Sequence, residues 1–175
     1  MIYLIGYSYG GKSTVGRQLA KLLGYDIFDT DRAIETKYHT SLQLLFSRYG
    51  EKAFRIIERQ VLFSTAGMNR TVVATGGGTA CSDENIRFML EHGIVVHLEM
   101  TVDDIMLRHA TSRKVRPLLQ GMDDDERRVF LEEHLASRLP YYRQAHVELR
   151  AVDVTAEKIA DAVRALVHSE NGEEY

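Results

Sequence analysis

The sequence predicts an α/β protein: a five-stranded parallel sheet flanked by helices on both faces. Three observations carry that reading. Short apolar, β-branched runs alternate along the chain with segments of helical periodicity. Glycines stand where several of those segments stop, at Gly24, Gly50 and Gly93. The first strand passes into the first helix through a glycine-rich loop of the kind that cradles phosphate. Alternating βα units lead to a parallel sheet covered by helices.

Taken in order, "IYLI" (2–5) is a short apolar run ended by Gly6. Over 12–23, Val15, Leu19, Leu22 and Leu23 fall on one helical face, and Gly24 takes the C′ position. "YDIFD" (25–29) reads as the second strand. Leu42, Leu45, Phe46 and Tyr49 stripe a helix stopped by Gly50, and Phe54, Ile57, Val61 and Leu62 stripe the next. A strand over 71–75 precedes a helix over 82–92, and a strand over 94–98 precedes a helix opened by a capping box of Thr101 and Asp104. Residues 110–125 lack a clean period and contain Pro117 and Gly121, which predicts a long loop, mobile without ligand. A helix over 126–142, a weak strand over 147–149 and a final helix striped by Ile159, Val163, Leu166 and Val167 follow. Residues 169–175 are expected to form a disordered tail. With no internal repeat or linker, residues 1–168 form one domain.

Composition narrows the function classes. A formal net charge of −3 argues against a generic nucleic-acid binder, which would be basic. The single cysteine, Cys81, excludes an internal disulfide and a Cys-rich zinc site. No stretch approaches the ~18–20 apolar residues of a membrane span, and no basic leader precedes "IYLIG". The expectation is a cytoplasmic, soluble, monomeric protein with neither nucleic acid nor membrane as partner.

"GYSYGGKST" (6–14) matches G-x-x-x-x-G-K-[ST] through Gly6, Gly11, Lys12 and Ser13, with a strand before it and a helix after it. Successive N–H groups from Tyr9, Gly10 and Gly11 through Lys12, Ser13 and Thr14 make a concave anion site, expected to hold ATP. Lys12 should bridge the β- and γ-phosphates, and the Ser13 hydroxyl should ligate Mg²⁺. The chain lacks an N/T-K-x-D guanine signature and is too short for a motor ATPase, which leaves a small-molecule kinase.

The acceptor must be read elsewhere. Asp29 and Asp31 end the second strand, where ligands bind in open α/β sheets. Two readings stay open there: Thr30 or Asp31 caps the next helix, or one acid orients Mg²⁺ through water while the other holds a substrate hydroxyl. Arg55 and Glu58 share a helix face, and the span from Arg108 to Arg116 carries three Arg, one Lys and one His without an acid. Behind the strand over 71–75 stand Gly76, Gly77 and Gly78 with no carboxylate. Three glycines let the backbone come within hydrogen-bond distance of a ring-sized substrate, so a side chain at Gly77 is expected to fill the acceptor space.

"GKST", "DTDRAIE", "GEKAFRIIE", "ATGGG", "VRPLL" and "SRLPYY" occur in the order and spacing of the shikimate kinases, and the chain resembles that family from Ile2 to about Val167. The resemblance implies the nucleoside-monophosphate-kinase-like P-loop fold with a lid at about 110–125. It implies transfer of the γ-phosphate of ATP, with Mg²⁺, to the 3-hydroxyl of shikimate on the route to chorismate. Carried over residue by residue, Asp31 holds the hydroxyl and is the candidate base, and Asp29 reaches Mg²⁺ through water. Arg55 and Arg138 grip the shikimate carboxylate, Glu58 orients Arg55, and Arg116 faces the γ-phosphate. Two departures stand out: Tyr9 replaces a usual glycine, with Gly10 beside it, and His109 replaces an adenine-stacking arginine, a role that passes to Arg108. Two alternatives are another small-molecule kinase, of the gluconate-kinase or nucleotide-kinase type, and a catalytically silent ATP-binding regulator.

Overall fold

The computed structural model describes residues 1–112, 119 and 121–170. Strands β1 (Ile2–Ile5), β2 (Asp26–Asp29), β3 (Thr71–Ala74), β4 (Ile94–Glu99) and β5 (Val147–Arg150) form one sheet in the order β2-β3-β1-β4-β5. Every adjacent pair is parallel. Around the sheet lie helices α1 (Lys12–Leu23), α2 (Thr30–Tyr38), α3 (Leu42–Phe63), α4 (Asp83–His92), α5 (Val102–Thr111), α6 (Asp124–Tyr142) and α7 (Ala156–Glu170), with a 3₁₀ turn at Ser64–Gly67.

The burial pattern explains why the strands read as continuous apolar runs. β1 and β3 are buried at every position, because a parallel strand inside the sheet is covered on both faces. Leu4, Leu19, Leu98, Ile105 and Ile159 pack on one face; Tyr3, Ile5, Val73, Met89 and Tyr142 pack on the other. β5, at one edge, alternates half-buried and exposed residues, which accounts for its weak sequence signal. β1 lies centrally between β3 and β4, so the connections leaving β1, β2 and β3 open toward one crevice.

Several local signals act as read. Gly24 ends α1 in the left-handed region at φ 65°. Gly50, at φ 75° and ψ 172°, breaks α3 into two helical arms. Thr101 and Asp104 form the reciprocal capping box of α5. Most other boundaries shift by a single residue at most, and two shift further. α6 begins at Asp124, because Asp123 and Glu126 form a second capping box. α7 runs to Glu170, so 169–170 are helical rather than part of a disordered tail. The Ser169 hydroxyl donates to the Leu166 carbonyl at 2.7 Å, one turn back within the same helix. The expected lid is bounded by α5 and α6, which take up 110–111 and 124–125; Leu119 is buried, and 113–118, with Arg116, lie outside the described residues.

Candidate active site

The phosphate loop leaves β1 at Gly6, where a Cβ would sit 2.5 Å from the Leu98 carbonyl oxygen and φ is +130°. It enters α1 through Gly11, the N-cap, at φ 76°. Lys12 is buried, and its ammonium donates to the carbonyls of Gly6 at 2.8 Å and Tyr7 at 2.9 Å, folding under its own loop. Tyr9 lies in the left-handed region at φ 74°, unusual for a residue with a side chain. Three contacts hold it there. Arg108 Nη1 donates to its carbonyl at 2.5 Å, its hydroxyl meets His109 Nδ1 at 2.8 Å, and the two rings pack edge to face. The two departures noted in the sequence thus touch each other. Arg108 Nη2 also donates to the Ala151 carbonyl at 2.9 Å, tying the loop to the β5–α7 connection. Residues 8–14 line a cleft of about 260 Å³ with Asp31, Thr75 and Gly77.

On the acceptor side, the helix cap at 29–31 is neither Thr30 nor Asp31. Asp29 caps α2, its Oδ1 accepting the Arg32 N–H at 3.1 Å. Thr30 is wholly buried and accepts the Gly76 N–H at 3.0 Å, while Asp31 faces the cleft. A Cβ on Gly76 would stand 2.7 Å from Asp31 Oδ1 and 2.9 Å from both Glu58 Oε1 and Thr79 Oγ1. Glu58, at 2% exposure, accepts Arg55 Nη1 at 2.7 Å and the Thr79 hydroxyl at 2.7 Å. Burial disfavours charge on Arg55, but the Glu58 and Glu51 carboxylates together outweigh it and raise its pKa, so the cation persists. The Arg55 guanidinium lies against Gly78, where a Cβ would be 2.6 Å from Nη1. Arg138 approaches the same turn from α6, donating Nη1 to the Gly77 carbonyl at 2.9 Å and lying over the Tyr7 ring.

The three glycines therefore face three different neighbours. Gly77 differs from the expectation of acceptor space: its Cβ would strike Ser8 of the phosphate loop, 2.7 Å from Oγ and 2.9 Å from the backbone nitrogen. A side chain there forces two loops apart. Gly77→Ala is expected to raise the KM for both substrates about tenfold or more, since small misplacements at such a site are costly. Gly78→Ala, which displaces only the Arg55 head group, raises the KM for the acceptor alone. Initial-rate kinetics on both variants checks the contrast.

Sequence reasoning missed Thr79, Tyr7, His134 and Tyr142, and read Thr30 only as a possible helix cap. One signal was available: His134 and Arg138 stand one helical turn apart on α6. His134 Nδ1 meets the Tyr7 hydroxyl at 2.6 Å. Burial, then the positive charge of Arg138, lowers the His134 pKa from 6.5 to about 4. The neutral ring is therefore the native form, and the unfolded chain binds the proton first as pH falls. The stability it contributes is complete above 6.5 and is lost as pH falls toward about 4. Over that window the melting temperature of the wild type is expected to fall more steeply than that of His134→Gln, as parallel thermal scans would show.

The residues present suit Mg²⁺. Ser13 opens α1 at the floor of the cleft, and hydroxyl and carboxylate oxygens are the hard donors this ion takes, one or two at a time, alongside phosphate and water. Among the described residues no cluster of three His, Cys, Asp or Glu forms a dedicated metal cage. Asp29 is engaged as a cap and is not among the residues lining the cleft; Asp31 is the carboxylate that lines it. No described helix is long and apolar enough to cross a membrane.

Comparison with known proteins bears on the family and the fold. The family model described as shikimate kinase matches residues 10–168. A shikimate kinase of Parabacteroides distasonis is 36% identical over 167 residues, covering 95% of this chain and 96% of that protein. The crystal structure of shikimate kinase from Bacteroides thetaiotaomicron superposes with a TM-score of 0.85 at 34% identity, over 97% of each chain. The Acinetobacter baumannii shikimate kinase, solved in complex with shikimate, gives 0.82 at 37% identity over 97% of this chain and 93% of that one.

Proposed function

The chain belongs to the shikimate kinase family, and on that premise we infer that it transfers the γ-phosphate of ATP to the 3-hydroxyl of shikimate, in the route to aromatic amino acids. The observation that carries this reading to the residues is the pair of guanidiniums on adjacent glycines. Arg55 lies against Gly78 and Arg138 bonds to Gly77, with Asp31 beside Gly76 at the edge of the phosphate cleft. A carboxylate acceptor needs planar, multiply donating partners, and two arginines supply them.

Glu58 holds Arg55 in place, so that its orientation is fixed before substrate arrives. Asp31 accepts the 3-hydroxyl proton in a hydrogen bond and aims the oxygen at the γ-phosphorus. Phosphoryl transfer is loose, with little bond formation to the nucleophile, so aiming counts for more than early deprotonation. Lys12 exchanges its two loop carbonyls for β- and γ-phosphate oxygens. Ser13 would hold Mg²⁺ directly and Asp29 only through water, and the ion would supply charge neutralisation at those phosphates. Arg116 faces the γ-phosphate and Arg108 the adenine, and closure of 110–125 excludes water. A cytoplasmic monomer completes this reading.

Steady-state ADP release with shikimate, gluconate and nucleoside monophosphates as acceptors tests the proposal. Turnover with shikimate alone is expected. Faster turnover with gluconate or a nucleotide would favour another small-molecule kinase, and ATP binding without turnover would favour a silent regulator.

A further inference from the structure

Tyr142, at the C-terminal end of α6, is wholly buried and has no part in the roles above. Its hydroxyl donates to the Gly77 carbonyl at 2.5 Å, the same oxygen that Arg138 Nη1 reaches at 2.9 Å. Behind it, the ring stacks on the buried imidazole of His97, with centroids 4.9 Å apart. His97 is anchored in turn by Nδ1 to Glu148 Oε2 at 2.8 Å. Burial holds the Tyr142 hydroxyl far above its ordinary range, so it remains an O–H donor at any working pH.

Two donors from one helix on one carbonyl do more than either alone. Together they fix the peptide plane between Gly77 and Gly78 and the direction of the Arg138 side chain. Without the hydroxyl, Arg138 is the only one of the two left on that carbonyl, and an arriving carboxylate must compete with the loop for its N–H groups. With the hydroxyl, the loop stays in place while the guanidinium turns its remaining donors to the ligand. We propose that Tyr142 is a positioning residue for the acceptor: it carries the Gly77 carbonyl so that Arg138 can bind a substrate carboxylate without loosening the glycine turn. The proposal rests on Arg138 as a carboxylate ligand.

Tyr142→Phe removes one oxygen and keeps the ring and its stack on His97. The expected result is a rise of about fivefold in the KM for shikimate, the scale of one hydrogen bond, with the KM for ATP and kcat unchanged. The melting-temperature rise caused by shikimate shrinks, while that caused by ADP does not. In an Arg138→Lys background the same substitution adds less than about twofold, because contacting residues couple. Equal penalties in both backgrounds, parallel rises in both KM values, or no change in the KM for shikimate would overturn the proposal. An unchanged KM for shikimate in Arg138→Lys itself would instead refute Arg138 as a ligand.

Discussion

Lys12→Met is expected to lower kcat about 10³-fold, the upper range for loss of one preorganised charge donor at a developing anion. The ammonium is buried and bonded to the Gly6 and Tyr7 carbonyls. It therefore waits within its own loop rather than in solvent, and little reorganisation is needed to reach phosphate. The same bonds predict a second effect. Methionine fills the space but leaves both carbonyls short of a donor, so the variant should also lose about 1–3 kcal/mol of stability. Single-turnover rates with saturating ATP measure the first effect, and denaturant unfolding the second. A variant that lost stability but kept its rate would make Lys12 a structural tie only.

Asp31→Asn is expected to lower turnover about 10²-fold while nucleotide affinity stays unchanged, the lower range for a positioned acid–base group. Asparagine preserves size beside Gly76, where there is no room for displacement: the Asp31, Glu58 and Thr79 oxygens all crowd the place of an absent Cβ. What it removes is the charge that holds and aims the acceptor hydroxyl. Rates from coupled ADP release, with calorimetric binding of ADP as control, separate the two. Equal activity in the variant would refute the role of Asp31.

How much of this was legible in the sequence follows from the range of each interaction. The inner strands, the phosphate loop and the Thr101 cap are local patterns, set by burial on both faces of a sheet or by bonds within a few residues. The helix cap was misplaced by one or two positions: Asp29, Thr30 and Asp31 are all plausible cap residues, and in the fold it is Asp29 that keeps extended backbone and accepts the Arg32 N–H. The directions of the glycines were not legible either. Which neighbour an absent side chain would strike depends on two loops that meet only in the fold, as Gly77 and Ser8 do. Tyr142 was invisible for a related reason. An aromatic residue at the end of a helix reads as core, and its hydroxyl gains meaning only from a carbonyl 65 positions away. The contact of Tyr9 with His109 likewise joins the phosphate loop to the end of α5.

The central claim is that the two arginines and Asp31 orient a carboxylate acceptor so that one particular hydroxyl meets the γ-phosphate. Its most direct test is the position of the phosphate in the product, read by ³¹P–¹H correlation NMR after incubation with ATP, Mg²⁺ and shikimate. The account predicts a single ester at the 3-hydroxyl and one ADP for each ester formed. Phosphate on another hydroxyl, a mixture of esters, or ADP released with free phosphate and no ester would contradict it.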